Sequence, residues 1–289
     1  MLPLVQVQEK VRDGHHIFNF AEGASWQTSL PPDIDYNHPI FTVRGFTLWS
    51  IAFDWLHVAD LGVASHALAN VVWDIVVKDT IGNPTARDQK FAEVADFLLQ
   101  YTPTGGSKLT QVALNNFCDP DALTTSYPLC AHLKAAEVRG MVPAVLELRK
   151  QHNDGSRWRR HQIRMLEHLN TCYETIHTGG IVLADSEKKQ LKTSAKCFLE
   201  EYTFLSAVAA RDGHTLFNVV PKFHYFWHMC VQQGQHLNPR FVWCYSGEDL
   251  VGKASRLAHA CCKGTANFKV PAKLMAKYRL AQHLKWSRC

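Results

Sequence analysis

The sequence predicts a mainly helical fold with a small β portion near its start. Residues 46–53 alternate as a strand does, with apolar side chains on both faces, which is typical of a strand covered on both sides. From Ser65 onward the apolar residues recur at helical spacing. The composition, 46% hydrophobic and 20% charged, is that of a folded globular protein.

The predicted elements follow in chain order. Residues 1–39 contain four prolines and no convincing long element, so they are predicted to be irregular. Residues 40–53 are predicted as two short strands, broken at Arg44 and Gly45. The helices predicted from periodicity run from Ser65 to Lys78, Ala86 to Tyr101, Lys108 to Phe117, Ala131 to His152 with a kink at Pro143, Arg157 to His177, Ser186 to Arg211, Gly247 to Lys263, and Ala272 to Trp286.

The cysteines and the chain start bear on the cellular location. None of the nine cysteines forms a CxxC pair, and several lie in apolar helical patterns, so we expect free buried thiols; a zinc site is the minor alternative. No apolar run reaches the roughly 20 residues of a membrane span. The first residues lack the charged start and apolar core of a secretory signal. The expected location is therefore intracellular, with no membrane partner.

Positive charge is concentrated at the end of the chain. Residues 253–289 contain nine Lys or Arg and no Asp or Glu, whereas the whole chain carries +5. Such a segment attracts nucleic acid, and a solvated helix surface is the alternative. Residues 157–160 interleave cations with an aromatic, which suits phosphate and base contact but is equally typical of an amphipathic helix start. The candidate nucleic-acid contacts are Arg157, Arg159, Arg160, Lys253, Arg256 and Lys263.

Three constellations could carry chemistry. Asp54 directly follows the predicted strand, where open α/β sheets place ligands, and His57 could orient its carboxylate. If their segment is helical, His224 and His228 lie one turn apart, the spacing at which two imidazoles share a metal. Glu248 and Asp249 open a helix, where capping is the alternative to metal binding.

The histidine pair does not indicate a zinc protease, because Tyr225 stands where that signature needs Glu. A core role with hydrogen-bonded ring nitrogens is favoured over a metal site. A metal enzyme would need a third ligand, for which the sequence offers His236, His259 or Glu248 without selecting among them.

In order and separation, three motifs resemble the C-terminal part of the catalytic region of cut-and-paste DNA transposases, especially the CACTA (En/Spm) type. The first is the Asp-x-x-His signature, Asp54 to His57, extended to Gly62. The second is Pro-Lys-x-His-x-x-x-His, Pro221 to His228, and the third is the acidic-led segment Gly247 to Lys253. The resemblance covers roughly residues 38 to 265.

The resemblance implies a partial RNase H-like α/β core interrupted by a large helical insertion. Its expected divisions are an irregular segment (1–39), the partial core (40–80), the insertion (81–215), and the C-terminal part of the core with a basic helical tail (216–289). In the family, three carboxylates hold two Mg²⁺ or Mn²⁺ ions for phosphoryl transfer. Carried over, Asp54 is the second carboxylate and Glu248 the third, with Asp249 as its rival and His57 as the signature histidine.

The chain departs from the family pattern at the first carboxylate. Only Asp13, Asp33 and Asp35 precede Asp54, in a segment too short for the strands and helix the fold requires there. We therefore expect a transposase-derived protein with an incomplete two-metal strand-transfer or nuclease core. It is expected to be inactive as an enzyme, and nuclear if DNA binding is retained.

The alternative hypothesis is a non-enzymatic helical module that binds nucleic acid or protein. In that case Asp54 and His57 are only a buried hydrogen-bonded pair, whereas the transposase hypothesis predicts that Asp54, His57 and Glu248 converge, with carboxylates within about 8 Å. The oligomeric state is open, and a homo-oligomer is one alternative.

Overall fold

The computed structural model describes residues 52–103 and 105–286, which form two compact units divided between Val242 and Trp243. The helices of the first unit are α1 Leu56–Ala64, α2 Ser65–Val76, α3 Pro84–Gln100, α4 Ala135–Gln151, α5 Arg157–Thr178, α6 Asp185–Arg211 and α7 Pro221–Val231. Those of the second unit are α8 Tyr245–Cys262 and α9 Val270–Trp286. Short 3₁₀ turns lie at Lys78–Thr80, Leu114–Asn116, Gln233–Gln235, Pro239–Val242 and Asn267–Lys269.

An apolar rod made of α1 and α2 lies at the centre of the first unit. Every residue of α2 is buried. By length and composition, Leu56–Thr80 would suffice to cross a membrane, but 94% of its apolar window is buried inside the protein, as in a core helix. The π-helical α1 departs from helical geometry at Gly62, where an added Cβ would lie 2.9 Å from Cδ of Lys222. Only glycine therefore permits this approach without a shift.

The longer helices of the first unit pack around this rod through regular apolar stripes. On α5, Met165, Leu169, Cys172 and Ile176 recur every three or four residues and are buried. The matching stripe of α6 is Leu191, Ala195, Phe198, Leu199, Tyr202 and Leu205. Aromatic rings from α6 and α7 complete the core, with the centroids of Tyr202 and Phe223 4.2 Å apart. Burial of these side chains is the main favourable term in folding.

A buried ion pair joins three helices of this unit. Asp74 of α2 and Arg149 of α4 are both 0% exposed, and Nη1 of Arg149 lies 2.7 Å from Oδ2 of Asp74. Nε1 of Trp158 on α5 donates to Oδ1 of Asp74 at 2.8 Å, and Nη1 of Arg149 also donates to Oε1 of Gln162 at 3.1 Å. Burial lowers the pKa of Arg149, and the Asp74 carboxylate opposes that shift.

The second unit is a hairpin of α8 and α9. Its turn contains Gly264 in the left-handed region, with φ +64°, which favours glycine. Among its described side chains only Cys261 is buried. The eight cysteines that the structure describes are free thiols, and five of them are buried: Cys118, Cys130, Cys172, Cys230 and Cys261.

The predicted partial RNase H-like α/β core is wrong for the part of the chain that the structure describes. No strand occurs in residues 52–103 and 105–286. The predicted strands fall mainly on residues 40–51, which lie outside the described residues, and the end of the second is not a strand. There the backbone N–H of Phe53 donates to Oε1 of Gln233 at 2.8 Å, and its carbonyl accepts from Nε2 of Gln233 at 3.2 Å. A side chain thus takes the bonds that a neighbouring strand would supply.

The helices predicted from strong periodicity are confirmed, and α5 and α6 are predicted to within a residue at each end. The predicted helix from Lys108 to Phe117 is wrong, since only a 3₁₀ turn, Leu114–Asn116, forms there. The carbonyls of Asn116 and Phe117 accept instead from the backbone N–H groups of Ala131 and Leu129. Long-range backbone bonding therefore overrides the local helical pattern.

Candidate functional site

Asp54 and His57 form a hydrogen-bonded pair at the start of α1. Oδ2 of Asp54 lies 2.5 Å from Nδ1 of His57 and accepts from the His57 backbone N–H at 3.1 Å, while Oδ1 accepts from the N–H of Leu56 at 3.2 Å. These bonds satisfy donors of the first helical turn that have no partner within the helix. The pair is not buried, since the His57 side chain is 51% exposed and that of Asp54 21%.

The first two sequence motifs pack against each other in the first unit. Nζ of Lys222, on α7, donates to the carbonyl of Leu61, on α1, at 2.8 Å across 161 residues of chain. The ring of Tyr225 stacks on that of Phe53 with centroids 5.3 Å apart, and the rings of Trp55 and Phe226 lie 5.7 Å apart. Residues 53–62 and the start of α7 are therefore one structural neighbourhood.

Two buried ionisable groups on α1 and α2 were not identified as site residues in the sequence. Asp60 is 0% exposed, and its Oδ1 accepts from the hydroxyl of Tyr173 at 2.6 Å. Burial, aided by the nearby positive charge of Lys222, lowers the pKa of His66 to about 4. An acid and a histidine within an otherwise apolar helix were the available signal.

The histidines of α7 lie on one face of the helix, as their spacing predicts. Their Nε2 atoms are 2.9 Å apart, and Nδ1 of His228 lies 3.0 Å from Oε1 of Gln232. Burial is the main cause that lowers the pKa of both rings, to about 4 for His224. Both imidazoles are therefore neutral at pH 7.

The three arginines at the start of α5 differ in their surroundings. The Arg159 guanidinium pairs with the carboxylates of Asp79 and Asp154 at 3.4 and 3.1 Å, and it is 17% exposed. Arg157 places its guanidinium carbon 5.1 Å from the centroid of the Phe204 ring. Arg160 is exposed. Among the three, Arg159 is already bound by acids and is the least suited to phosphate contact.

The remaining predicted site residues lie on α8 or, for Lys263, directly after it, in the second unit. Glu248 and Asp249 are exposed near its start, and the Asp249 carboxylate forms an ion pair with Lys253 one turn on. Arg256 and Lys263 are exposed as well. Asp54 and His57 belong to the first unit, so their convergence with Glu248 stays a prediction. Binding of Mg²⁺ or Mn²⁺ by Asp54, Glu248 and Asp249 likewise stays a prediction.

Comparison of the chain with models of protein families, with curated proteins and with solved structures found no match.

Proposed function

We propose that this chain is a transposase-derived DNA-binding protein whose second unit is the DNA-contacting element. The observation that carries the proposal is the charge of the α8–α9 hairpin. Between residues 243 and 286 there are eight Lys or Arg but only two acids, Glu248 and Asp249, both near the start of α8. After Asp249, every charged residue of the hairpin is Lys or Arg.

The cations are placed to meet a phosphate backbone. Lys253 and Arg256 are three residues apart on α8 and exposed, and Lys253 also pairs with the carboxylate of Asp249. Lys273 and Lys277 are one turn apart on α9, where Nζ of Lys273 donates to Oγ1 of Thr265 at 2.7 Å. Residues at this spacing share a helix face, so the charges form rows rather than a scatter. Lysine and arginine rows that neutralise phosphates release condensed counterions, which supplies most of the affinity for DNA in general.

The transposase origin is supported by the arrangement of the first two motifs. The Asp54–His57 signature and the Pro221–His228 segment are far apart in sequence, yet α1 and α7 pack together through Lys222 and the stacked rings of Phe53 and Tyr225. Motifs kept in order and brought into contact are typical of one functional region. A nuclear location follows from DNA binding and is part of the proposal.

The proposed role is binding rather than strand cleavage. The contacts of the Asp54 carboxylate with the N–H groups of Leu56 and His57 are those of a helix cap, which accounts for the acid without a metal. We therefore expect duplex DNA binding to be unchanged by D54N and E248Q. Mg²⁺-dependent cleavage of duplex DNA that both substitutions abolish would overturn this part of the proposal.

The hairpin is tested by the salt dependence of binding to fluorescent duplex DNA. The triple variant K253Q/R256Q/K263Q should reduce the slope of log K against log salt by about 2–3, since each phosphate contact contributes about 0.9. A matched control, K189Q/K192Q/K196Q on α6, removes the same charge from the first unit and should leave the slope unchanged. Equal effects of the two triple variants would mean that net charge alone attracts DNA, and would refute a DNA-binding hairpin.

A further inference from the structure

The histidine pair of α7 has a geometry that DNA binding does not use. The ring planes of His224 and His228 are almost perpendicular, at 88°, and their centroids lie 4.4 Å apart. The Nε2 nitrogens of the two rings are 2.9 Å apart. Any interaction between the rings has to account for both the centroid separation and the nitrogen–nitrogen distance.

A straight hydrogen bond between the rings explains only the nitrogen–nitrogen distance. Two imidazoles in a straight head-to-head hydrogen bond of this N–N length would hold their centroids about 5.2 Å apart, because each ring lies behind its own nitrogen. The observed centroid separation of 4.4 Å is shorter. The two rings therefore converge at an angle instead of facing each other.

A shared metal ion explains both distances. Imidazole nitrogens bind such ions at about 2.0–2.1 Å. When the angle at the ion between the two nitrogens is 90°, the nitrogens are about 2.9 Å apart and the ring centroids about 4.5 Å apart. Pairs of ligands at 90° to each other about the ion occur in octahedral and tetragonal coordination. A tetrahedral site requires the nitrogens to separate to about 3.3 Å, which a small rotation of one side chain provides.

Gln232 prepares His228 to be a ligand. Its Oε1 is 3.0 Å from Nδ1 of His228, and an amide oxygen can only accept, so Nδ1 carries the proton. In a neutral imidazole the other nitrogen, Nε2, is then unprotonated, and its lone pair can bind a metal ion shared with Nε2 of His224, 2.9 Å away. An acceptor on the second ring nitrogen is the usual support of a metal-bound histidine. The lowered pKa values of both rings remove proton competition at neutral pH.

We propose that His224 and His228 form a bidentate site for a divalent transition-metal ion that prefers imidazole, with Ni²⁺ and Cu²⁺ fitting the right angle and Zn²⁺ fitting after a small opening. The remaining positions of the ion are left to water or to an added donor. His228 is 9% exposed and stacks against Phe53, with ring centroids 6.3 Å apart, so the ion would be shielded on that side. The proposal is independent of DNA binding.

Calorimetric titration of the full chain with Ni²⁺, without DNA, tests the site. We expect one equivalent to bind, with affinity reduced at least tenfold in H224A and in H228A. H214A removes an exposed histidine outside α7 and is the matched control, with no change expected. Q232L keeps both ligands and should weaken binding about tenfold through loss of the supporting acceptor. Equal Ni²⁺ binding by the wild type and the H224A/H228A double variant would overturn the proposal.

A second measurement avoids substitution of the buried His228. The electron paramagnetic resonance spectrum of Cu²⁺ bound to the wild-type chain, labelled with ¹⁵N-histidine, should show hyperfine coupling to two equatorial imidazole nitrogens. Coupling to one imidazole nitrogen or to none would refute the bidentate site, whatever the variants do.

Discussion

The buried ion pair of the first unit predicts an asymmetric response to loss of either partner. Asp74 is one carboxylate facing several donors: Arg149 at 2.7 Å, Trp158 at 2.8 Å, and the more distant Lys78 and Arg159 at 3.5 and 3.9 Å. D74N leaves Arg149 fully buried without a counter-ion. R149M leaves Asp74 with Trp158, Lys78 and Arg159. Loss of the acid should therefore cost more than loss of the arginine.

The magnitudes follow from the burial of both groups. Breaking a fully buried pair costs about 3–5 kcal/mol because a charge is left uncompensated. We expect D74N to lie near the upper end, about 4–5 kcal/mol, and R149M near the lower end, about 3 kcal/mol. Since folded domains are stable by only about 5–15 kcal/mol, D74N should come close to unfolding the first unit. The double variant D74N/R149M should cost less than the sum of the two, because the residues are in contact.

Urea unfolding followed by circular dichroism measures these differences as shifts in the midpoint at constant slope. The control is K196M, which removes the exposed ion pair with Glu200 and should cost less than about 1 kcal/mol. The reasoning fails if R149M destabilises as much as D74N, or if D74N lies within about 1 kcal/mol of the wild type.

Three further predictions concern other residues of the first unit. His66 is buried and its folded-state pKa, about 4, lies below the ordinary value of 6.5, so its contribution is present above pH 6.5 and is lost as pH falls toward 4. Between pH 7.5 and 4.5 the free energy of unfolding, measured in urea, should therefore fall by about 2–3 kcal/mol less in H66Q than in the wild type. An equal fall in both would contradict a lowered pKa for His66. Asn238 donates to the carbonyls of Ile176 and Gly180 at 2.9 and 3.0 Å, so N238A should cost about 1–3 kcal/mol in thermal unfolding, whereas no change in melting temperature would show that water replaces it. D54A removes the cap of α1 and should cost about 0.5–2 kcal/mol, with D54N costing less; the reverse order would argue against capping.

Local periodicity predicted the long helices but not the pieces that depend on distant partners. The buried stripes of α5 and α6 repeat for about three to five turns, so their pattern is unambiguous. The short α1 and α7 are apolar on most sides and give no clear period, so neither was predicted as a helix from periodicity. The strand prediction for residues 46–53 came from their alternation. Alternation with apolar side chains on both faces does not distinguish a strand from the approach to a buried helix.

In the candidate sites too, local spacing predicted some features and distant contacts determined the others. The shared face of His224 and His228 follows from their four-residue spacing, but the support from Gln232 required the helix to continue through Val231 to Gln232. The partners of Asp74 lie up to 85 residues away, and no local pattern identifies which buried acid meets which buried base. Pairings of this kind are set by helix packing.

The side chain of Gln233 holds the backbone of Phe53 at both its N–H and its carbonyl, 180 residues away along the chain. The chain at Phe53 and the chain at Gln233 are therefore held side by side in the first unit. A body with adjacent ends can be inserted into a loop of another protein without forcing the host strands or helices apart. The helices between Phe53 and Gln233 form such a segment, whose two ends are adjacent in the first unit.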